Sequence, residues 1–474
     1  MPAAVALLVL LIVYALLLIG LGLFISRLVR SADDFLVAGR RLNSGLLFAT
    51  LLTANIGAGS TVGAAGLGYK FGLSAWWWVG SAGIGSIILA LTVGPKIWRA
   101  AKQHNLYTAG DYLELRYNRT VRLLVAGVLW LGTLALLAAQ LIGVAWILNV
   151  TANVPKAFGC LIGGIVVIAY FGAGGLLASA WVNAVQLAVL LVGFIIALPV
   201  ALDQVGSWQA VVTSASLYLT DGAQTENYFS LTGAGAKWVL NYAMILIPSF
   251  IISPGLVQKI YGARDPRAVR VGVLANAVCL LVFACIPPLL GMIVFSQFPD
   301  LPNHELALPT AMAKLLPGWI GGLALAAIFS AEISTCDAIL FMLSTSLGND
   351  LYRRVINPNA DQATLMKINR LTAVVSGIVG VVIAIMADTI ISALSIFYSL
   401  LVAALFVPLI GGLYWPKLSA RMATVAIAVS VTITLLVNYM TRGQGFWLLP
   451  PAAWGILGSA LVIFVDSRRH RIRG

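Results

Sequence analysis

Apolar runs long enough to cross a bilayer recur along almost the whole of this chain. They fall at about 4–26, 45–69, 75–98, 120–150, 157–178, 180–202, 237–260, 270–296, 318–347, 368–387, 389–414, 420–440 and 447–466. A crossing helix needs about 20 mainly apolar residues, because the hydrocarbon core is about 30 Å thick. Lipid offers no partner to an open N–H or C=O, so about thirteen such runs must fold as a helical bundle. The alternation expected of a transmembrane β-barrel is absent. Only 9% of the 474 residues are charged, against about 25% in a soluble domain. The expected class is therefore an all-α polytopic membrane protein.

The formal net charge is +13, which would suit a nucleic-acid partner if the charges were clustered. Their positions say otherwise. If the chain starts outside and alternates, all but five of its 29 basic residues fall on one side, the exceptions being Lys70, Lys156, Lys237, Lys314 and Arg442. That bias predicts an external N-terminus and a cytoplasmic C-terminus. The basic excess then reports topology and contact with anionic lipid of the inner leaflet. The first run has no basic residue before it and is too long for a signal-peptide core, so it reads as a retained span. The compact loops, with no soluble domain at either end, suggest a prokaryotic inner membrane. Cys160, Cys279, Cys285 and Cys336 lie in apolar segments without a CxxC pair, so neither a disulfide framework nor a zinc site is expected. The outer segments 203–236 and 296–317, the latter with Asp300 and Glu305, have the composition of ordinary loops or of lids over a vestibule. The inner segment 102–120, with Asp111 and Glu114, is expected on the membrane surface.

Two runs look interrupted. Thr53 to Gly63 is a cluster of Gly, Ala, Ser and Thr with one Asn, and each glycine weakens a helix by roughly 1 kcal/mol. Small residues also favour close helix packing, which is the competing explanation. The seventh run carries Pro248-Ser249 at its middle and Ser253-Pro254-Gly255 a turn later, and proline removes a backbone donor. Paired interruptions in corresponding places point to a transporter built on inverted repeats. The two lie five spans apart, and an odd number of spans inverts the second copy.

The stretch from Ala331 to Tyr352 carries Glu332 and Asp337. Acids at membrane depth cost at least about 2.5–3.5 kcal/mol each on insertion scales. On a helix, Ala331, Ser334, Thr335 and Ala338 share one face. A carbonyl and two hydroxyls there make a neutral half-site for a hard cation that must also leave. Hydrogen-bonded helix packing would use the same residues.

The chain resembles the sodium:solute symporter family over nearly its whole length. The likeness is carried by SADDFLVAGRRL, TANIGAGSTVGAAGLGY, TAGDYLELRYN, FGAGGLLASAWVNAVQ, SPGLVQKIYGARDP and STCDAILFMLSTSLGNDLYRR, in order. The resemblance implies a leucine-transporter-type core of five plus five inverted helices, with the first and sixth broken. The corresponding division is an extra N-terminal span at 1–30, repeats at 45–202 and 237–414, two further spans at 420–466 and a basic tail at 467–474. It implies a sodium site formed by the carbonyls of Thr53, Ile56 and Ala331 and the hydroxyls of Ser334 and Thr335. It also exposes departures. Many members carry an aspartate in the fifth core helix, linked to sodium coupling, where this chain has Asn183. The proline-transporting branch has an aspartate where this chain has Asn55. Sugar-transporting members use a glutamine at Ser60 and a glutamate in the next helix, yet residues 75–95 hold no acid, which argues against a hexose.

Exposed amides at a helix break suit a carboxylate. The expected solute is thus a small organic molecule such as an amino acid or a monocarboxylate, bound by Gly57, Gly59 and Ser60. Gln140, Asn241, Tyr242, Ser249, Ser395 and Tyr398 are the facing candidates. Glu332 and Asp337 flank the ion face by angle, in a supporting or proton-coupling role. The leading expectation is sodium-driven symport by alternating access. Proton coupling through Glu332 or Asp337 and a non-transporting solute sensor remain as alternatives. An enzyme is not expected, since His104, His304 and His470 all lie outside the spans and no nucleophile–base or metal spacing occurs.

Overall fold

The computed structural model describes residues 37–472 apart from 172–174, 220 and 416, with isolated positions before residue 37. The expected first span, the SADDF segment and residues 473–474 of the basic tail lie outside the described residues. Among the described residues there is no strand. Among those residues, nine helical stretches are long and apolar enough to cross a membrane, and three shorter apolar helices, Ser44–Asn55, Lys156–Ala169 and Pro451–Phe464, accompany them. Run-counting reaches thirteen differently, because a broken run gives one short helix and a piece that merges with its neighbour. The run 45–69 does this, ending one helix at Asn55 and continuing within Gly59–His104.

The elements that frame the centre are α1 (Ser44–Asn55), α2 (Ala64–Phe71), α3 (Trp76–Ile88), α4 (Arg119–Ala152), α5 (Gly175–Val205), α6 (Ala236–Ile252), α7 (Pro254–Tyr261), α8 (Gly318–Thr345) and α9 (Ile390–Leu401). In the most apolar 18-residue window of the stretch containing α8, 83% is buried inside the protein, against 33% in that of Ala420–Met440. α8 is therefore the hub, packed against α4, α5 and α1, and Ala420–Met440 lies at the rim.

α1 starts where the Asn43 side chain accepts from Leu46 N at 2.9 Å, meeting one of the donors a helix start leaves open. It ends at Ile56, whose backbone is extended (φ −101, ψ 92). The chain then resumes with a wide turn in which Gly63 N donates to Ala58 O at 2.7 Å. The second break sits at Ser253 (φ −48, ψ 119), and α6 runs through Pro248 unbroken. Pro254 opens α7, where a first-turn residue needs no donor.

On the basic side the two broken helices are joined. Leu42 N donates to Gly262 O and Arg264 N to Leu42 O, both at 3.0 Å. Trp98 Nε1 donates to Ala263 O at 2.8 Å. Beside them, buried Arg122 pairs with Asp111 at 2.9 Å and Glu114 at 2.6 Å, which fixes the short helix Ala109–Arg116.

On the opposite side the 296–317 segment is tied down. Tyr69 donates its hydroxyl toward Phe298 O at 2.9 Å. Glu305 is fully buried and accepts from Trp146 Nε1 at 3.0 Å and Ile390 N at 2.6 Å, joining α4 to the start of α9. Removing the carboxylate orphans two donors at about 1–3 kcal/mol each. Glu305→Ala should therefore lower the melting temperature in detergent by several degrees. Burial raises the Glu305 carboxyl from its ordinary 4.5. A raised carboxyl contributes most below its unfolded pKa and loses that contribution as pH climbs through the folded one. The gap between wild type and Glu305→Ala should accordingly narrow toward neutral pH, and a gap widening with pH would contradict this.

Candidate ion and solute site

α8 and the end of α1 meet oxygen to oxygen. Thr335 Oγ1 lies 3.1 Å from Thr53 O and 3.3 Å from Ile56 O. One hydroxyl proton cannot satisfy two carbonyls, so this cluster is poor in protons and rich in lone pairs. The Thr53 hydroxyl is turned away, donating to Ala49 O at 2.8 Å, which leaves only its carbonyl to the cluster. Ala331, one turn before Thr335 on α8, is buried. Ser334 donates to Asn183 Oδ1 at 3.0 Å, and Asn183 Nδ2 donates to Thr50 Oγ1 at 3.2 Å. Neutral hard oxygens of this kind suit a hard, weakly held cation.

The first break shows what its freed amides want. Gly57 N donates to Ser60 Oγ at 3.0 Å, and Ala58 N donates to Gln140 Oε1 at 2.7 Å. Trp78 Nε1 donates to Gly59 O at 2.9 Å. A cavity opens here, lined by Gly57, Gly59, Ser60, Gln140, Tyr398 and Thr335 among others. Asn241, Tyr242, Ser249 and Ser395 do not line it. Ser249 instead donates to Ile245 O within its own helix, at 2.7 Å. Tyr242 packs edge-on against Trp78, with ring centroids 5.0 Å apart.

That pair belongs to an aromatic wall. Phe71, Trp238, Tyr242, Trp78 and Tyr398 follow one another with centroid spacings of 5.7, 4.5, 5.0 and 6.0 Å. Trp78 and Tyr398 of this wall line the cavity. Gln258 and Met342 line both this cavity and a second one that reaches Thr108 and Gly110 on the basic side. Trp78 carried no sequence signal beyond lying in a Trp-Trp-Trp run.

The two acids of α8 part company. Glu332 is buried, with Oε1 2.9 Å from Thr61 Oγ1 just past the break. Asp337 lines the cavity. Lys259, grouped in sequence with the basic loop, is instead buried in α7 and donates to Thr50 O at 2.9 Å. It sits at the end of an apolar run, where a lysine that reaches up to the surface looks identical in sequence.

A family model for the sodium:solute symporter family matches residues 35–430. The chain belongs to that family. The symporter is 29% identical to the sodium/pantothenate symporter of Escherichia coli K12, over 97% of this chain and 95% of that one. It is 24% identical to the sodium/glucose cotransporter of Vibrio parahaemolyticus, over 92% and 85%. Its fold matches a sodium-coupled sialic acid symporter solved in a substrate-bound outward-open state, with a TM-score of 0.79, 20% identity and coverage of 97% and 96%. The expected transporter class is thereby shown, with sodium as the coupled ion. The symporter is an integral membrane protein and not an enzyme.

Proposed function

We propose that this symporter couples one inward sodium ion to uptake of a small carboxylated organic solute. Sodium is held by the carbonyls of Thr53, Ile56 and Ala331 and the hydroxyls of Ser334 and Thr335. The solute carboxylate is held at the first break. The observation that carries the solute class is the Ala58 N–H capped by Gln140 Oε1 at 2.7 Å. A side-chain oxygen stands there where a solute oxygen would accept the same bond, and an amide at a helix break favours negative charge. Pantothenate, the solute named for the Escherichia coli relative, is itself a monocarboxylate. With the basic side facing the cytoplasm, the membrane potential adds about 2.3 kcal/mol per charge per 100 mV to uptake. Coupling follows because each ligand binds one conformation better than the other.

The test is uptake into proteoliposomes under an inward sodium gradient, with labelled pantothenate, proline, lactate and glucose. A carboxylate should accumulate with sodium and not with potassium, while glucose does not. Sodium-driven glucose uptake without any carboxylate uptake would overturn the solute class. Gln140→Leu keeps the volume and removes the oxygen. It should weaken uptake of the carboxylate at least tenfold, through KM, with the sodium response retained.

A further inference from the structure

A lysine near the end of a membrane helix ordinarily extends its stem and keeps its ammonium in water. Lys259 does not. It is 5% exposed, and its Nζ donates to Thr50 O at 2.9 Å. Asp337 of α8 is close enough for the two charges to interact, and both residues line the central cavity. A buried charge is tolerated only when it is compensated, and here the Thr50 carbonyl accepts from the ammonium while the Asp337 charge favours it.

The location gives the pair its meaning. Thr50 lies three residues before Thr53 on α1, about 4.5 Å along the helix and on the same face. The ammonium therefore holds a carbonyl of the same ladder that supplies the sodium cluster. The two places are bridged by side chains as well. Thr50 Oγ1 accepts from Asn183, and Asn183 accepts from Ser334. Without the ammonium, the Thr50 carbonyl that it holds and the Asp337 carboxylate of the cavity lining would both lose a positive charge. Such hard oxygens with one net negative charge make a seat for a monovalent cation.

We propose that the Lys259 ammonium is a tethered cation filling that seat, so the symporter binds a single sodium ion where the carbonyl ladder could hold two cations. This rests on the sodium cluster proposed above. The lysine supplies the second positive charge from within the chain. It is never released, so it adds nothing to the ion gradient spent per solute.

The experiment is equilibrium binding of radioactive sodium to the purified full chain in detergent, with no solute. Wild type should bind one sodium per chain with a Hill coefficient near 1. Lys259→Ala should bind two, and Lys259→Ala/Asp337→Asn should return to one, because the carboxylate that holds the second is gone. Lys259→Arg keeps the charge and should bind one. Two sodium ions in wild type, or one in a folded Lys259→Ala, would overturn the tethered cation. If Lys259→Ala does not fold, Asp337→Asn replaces it. The ammonium, no longer balanced by the Asp337 charge, should weaken sodium at the remaining site at least tenfold, and an unchanged affinity overturns the proposal. No sodium bound by folded wild type is a different outcome, and it removes the sodium cluster itself.

Discussion

Replacing Ser334 and Thr335 together by alanine is expected to abolish sodium binding in the accessible concentration range. A hydrogen bond to a charged group contributes about 1.5–3 kcal/mol, and each of the two proposed hydroxyl ligands should contribute comparably. Their joint loss then costs about 3–6 kcal/mol, or about 10²–10⁴-fold in affinity. The thirteen tryptophans, one of them donating to Gly59 O at the break, make intrinsic fluorescence a suitable readout. Wild type should give a saturable response to sodium and none to potassium, and the double variant none to either. Thr53→Ala is the internal control. Its hydroxyl is spent on Ala49 O and its carbonyl survives the substitution, so sodium affinity should change less than about tenfold, within 1.4 kcal/mol. A Thr53→Ala loss as large as that of the double variant would mean that side chains, not carbonyls, bind the ion from α1.

Gly57→Ala should remove sodium and solute binding together. A Cβ at residue 57 would stand 2.6 Å from Thr335 Oγ1 and 2.9 Å from Thr335 Cβ, and would collide with Gln140 Oε1. Overpacking alone costs about 1–3 kcal/mol, which a folded protein of this size survives. The functional loss is expected to be larger, because the displaced atoms are the proposed hydroxyl ligand of sodium and the oxygen standing at the proposed solute position. Gly59→Ala tests whether the effect belongs to the site or to glycine in general. Its Cβ would meet chiefly the tip of Leu394, which can rotate. Gly59→Ala should keep the sodium response, and Gly57→Ala should lose it in a protein that still elutes and melts as folded. Equal effects would show that the break merely needs flexible glycines.

What was legible in the sequence follows the reach of local rules. The break after Asn55 is written in a dense run of Gly, Ala, Ser and Thr. The shared face of Ala331, Ser334 and Thr335 is written in helical spacing. The second break was half legible. Pro248 attracted attention, but the helix passes through it with Ser249 bonded to Ile245 O, and the chain opens at Ser253. A proline in a membrane helix kinks it without necessarily ending it, whereas Ser-Pro-Gly changes the backbone path. Rotation was not legible. α6 is apolar on every side, so periodicity could not say that Tyr242 stacks on Trp78 or that Ser249 faces its own backbone. Glu305 read as an ordinary loop acid, because Trp146 and Ile390 are 159 and 85 residues away. Lys259 was hidden for the same reason, its partner carbonyl lying 209 residues earlier.

The rung between Leu42 and Ala263 makes one lever of two. Both bonds at Leu42 connect the lead-in to α1 with the lead-out of α7, and each of these short helices is hinged at its far end, at Ile56 and at Ser253. The basic-side ends therefore cannot separate unless two backbone hydrogen bonds break. While the rung holds, a swing of α1 away from Thr335 carries α7 with it, and Lys259 travels on the Thr50 carbonyl it bonds, so the proposed sodium ligands of α1 leave those of α8 while the lysine stays seated.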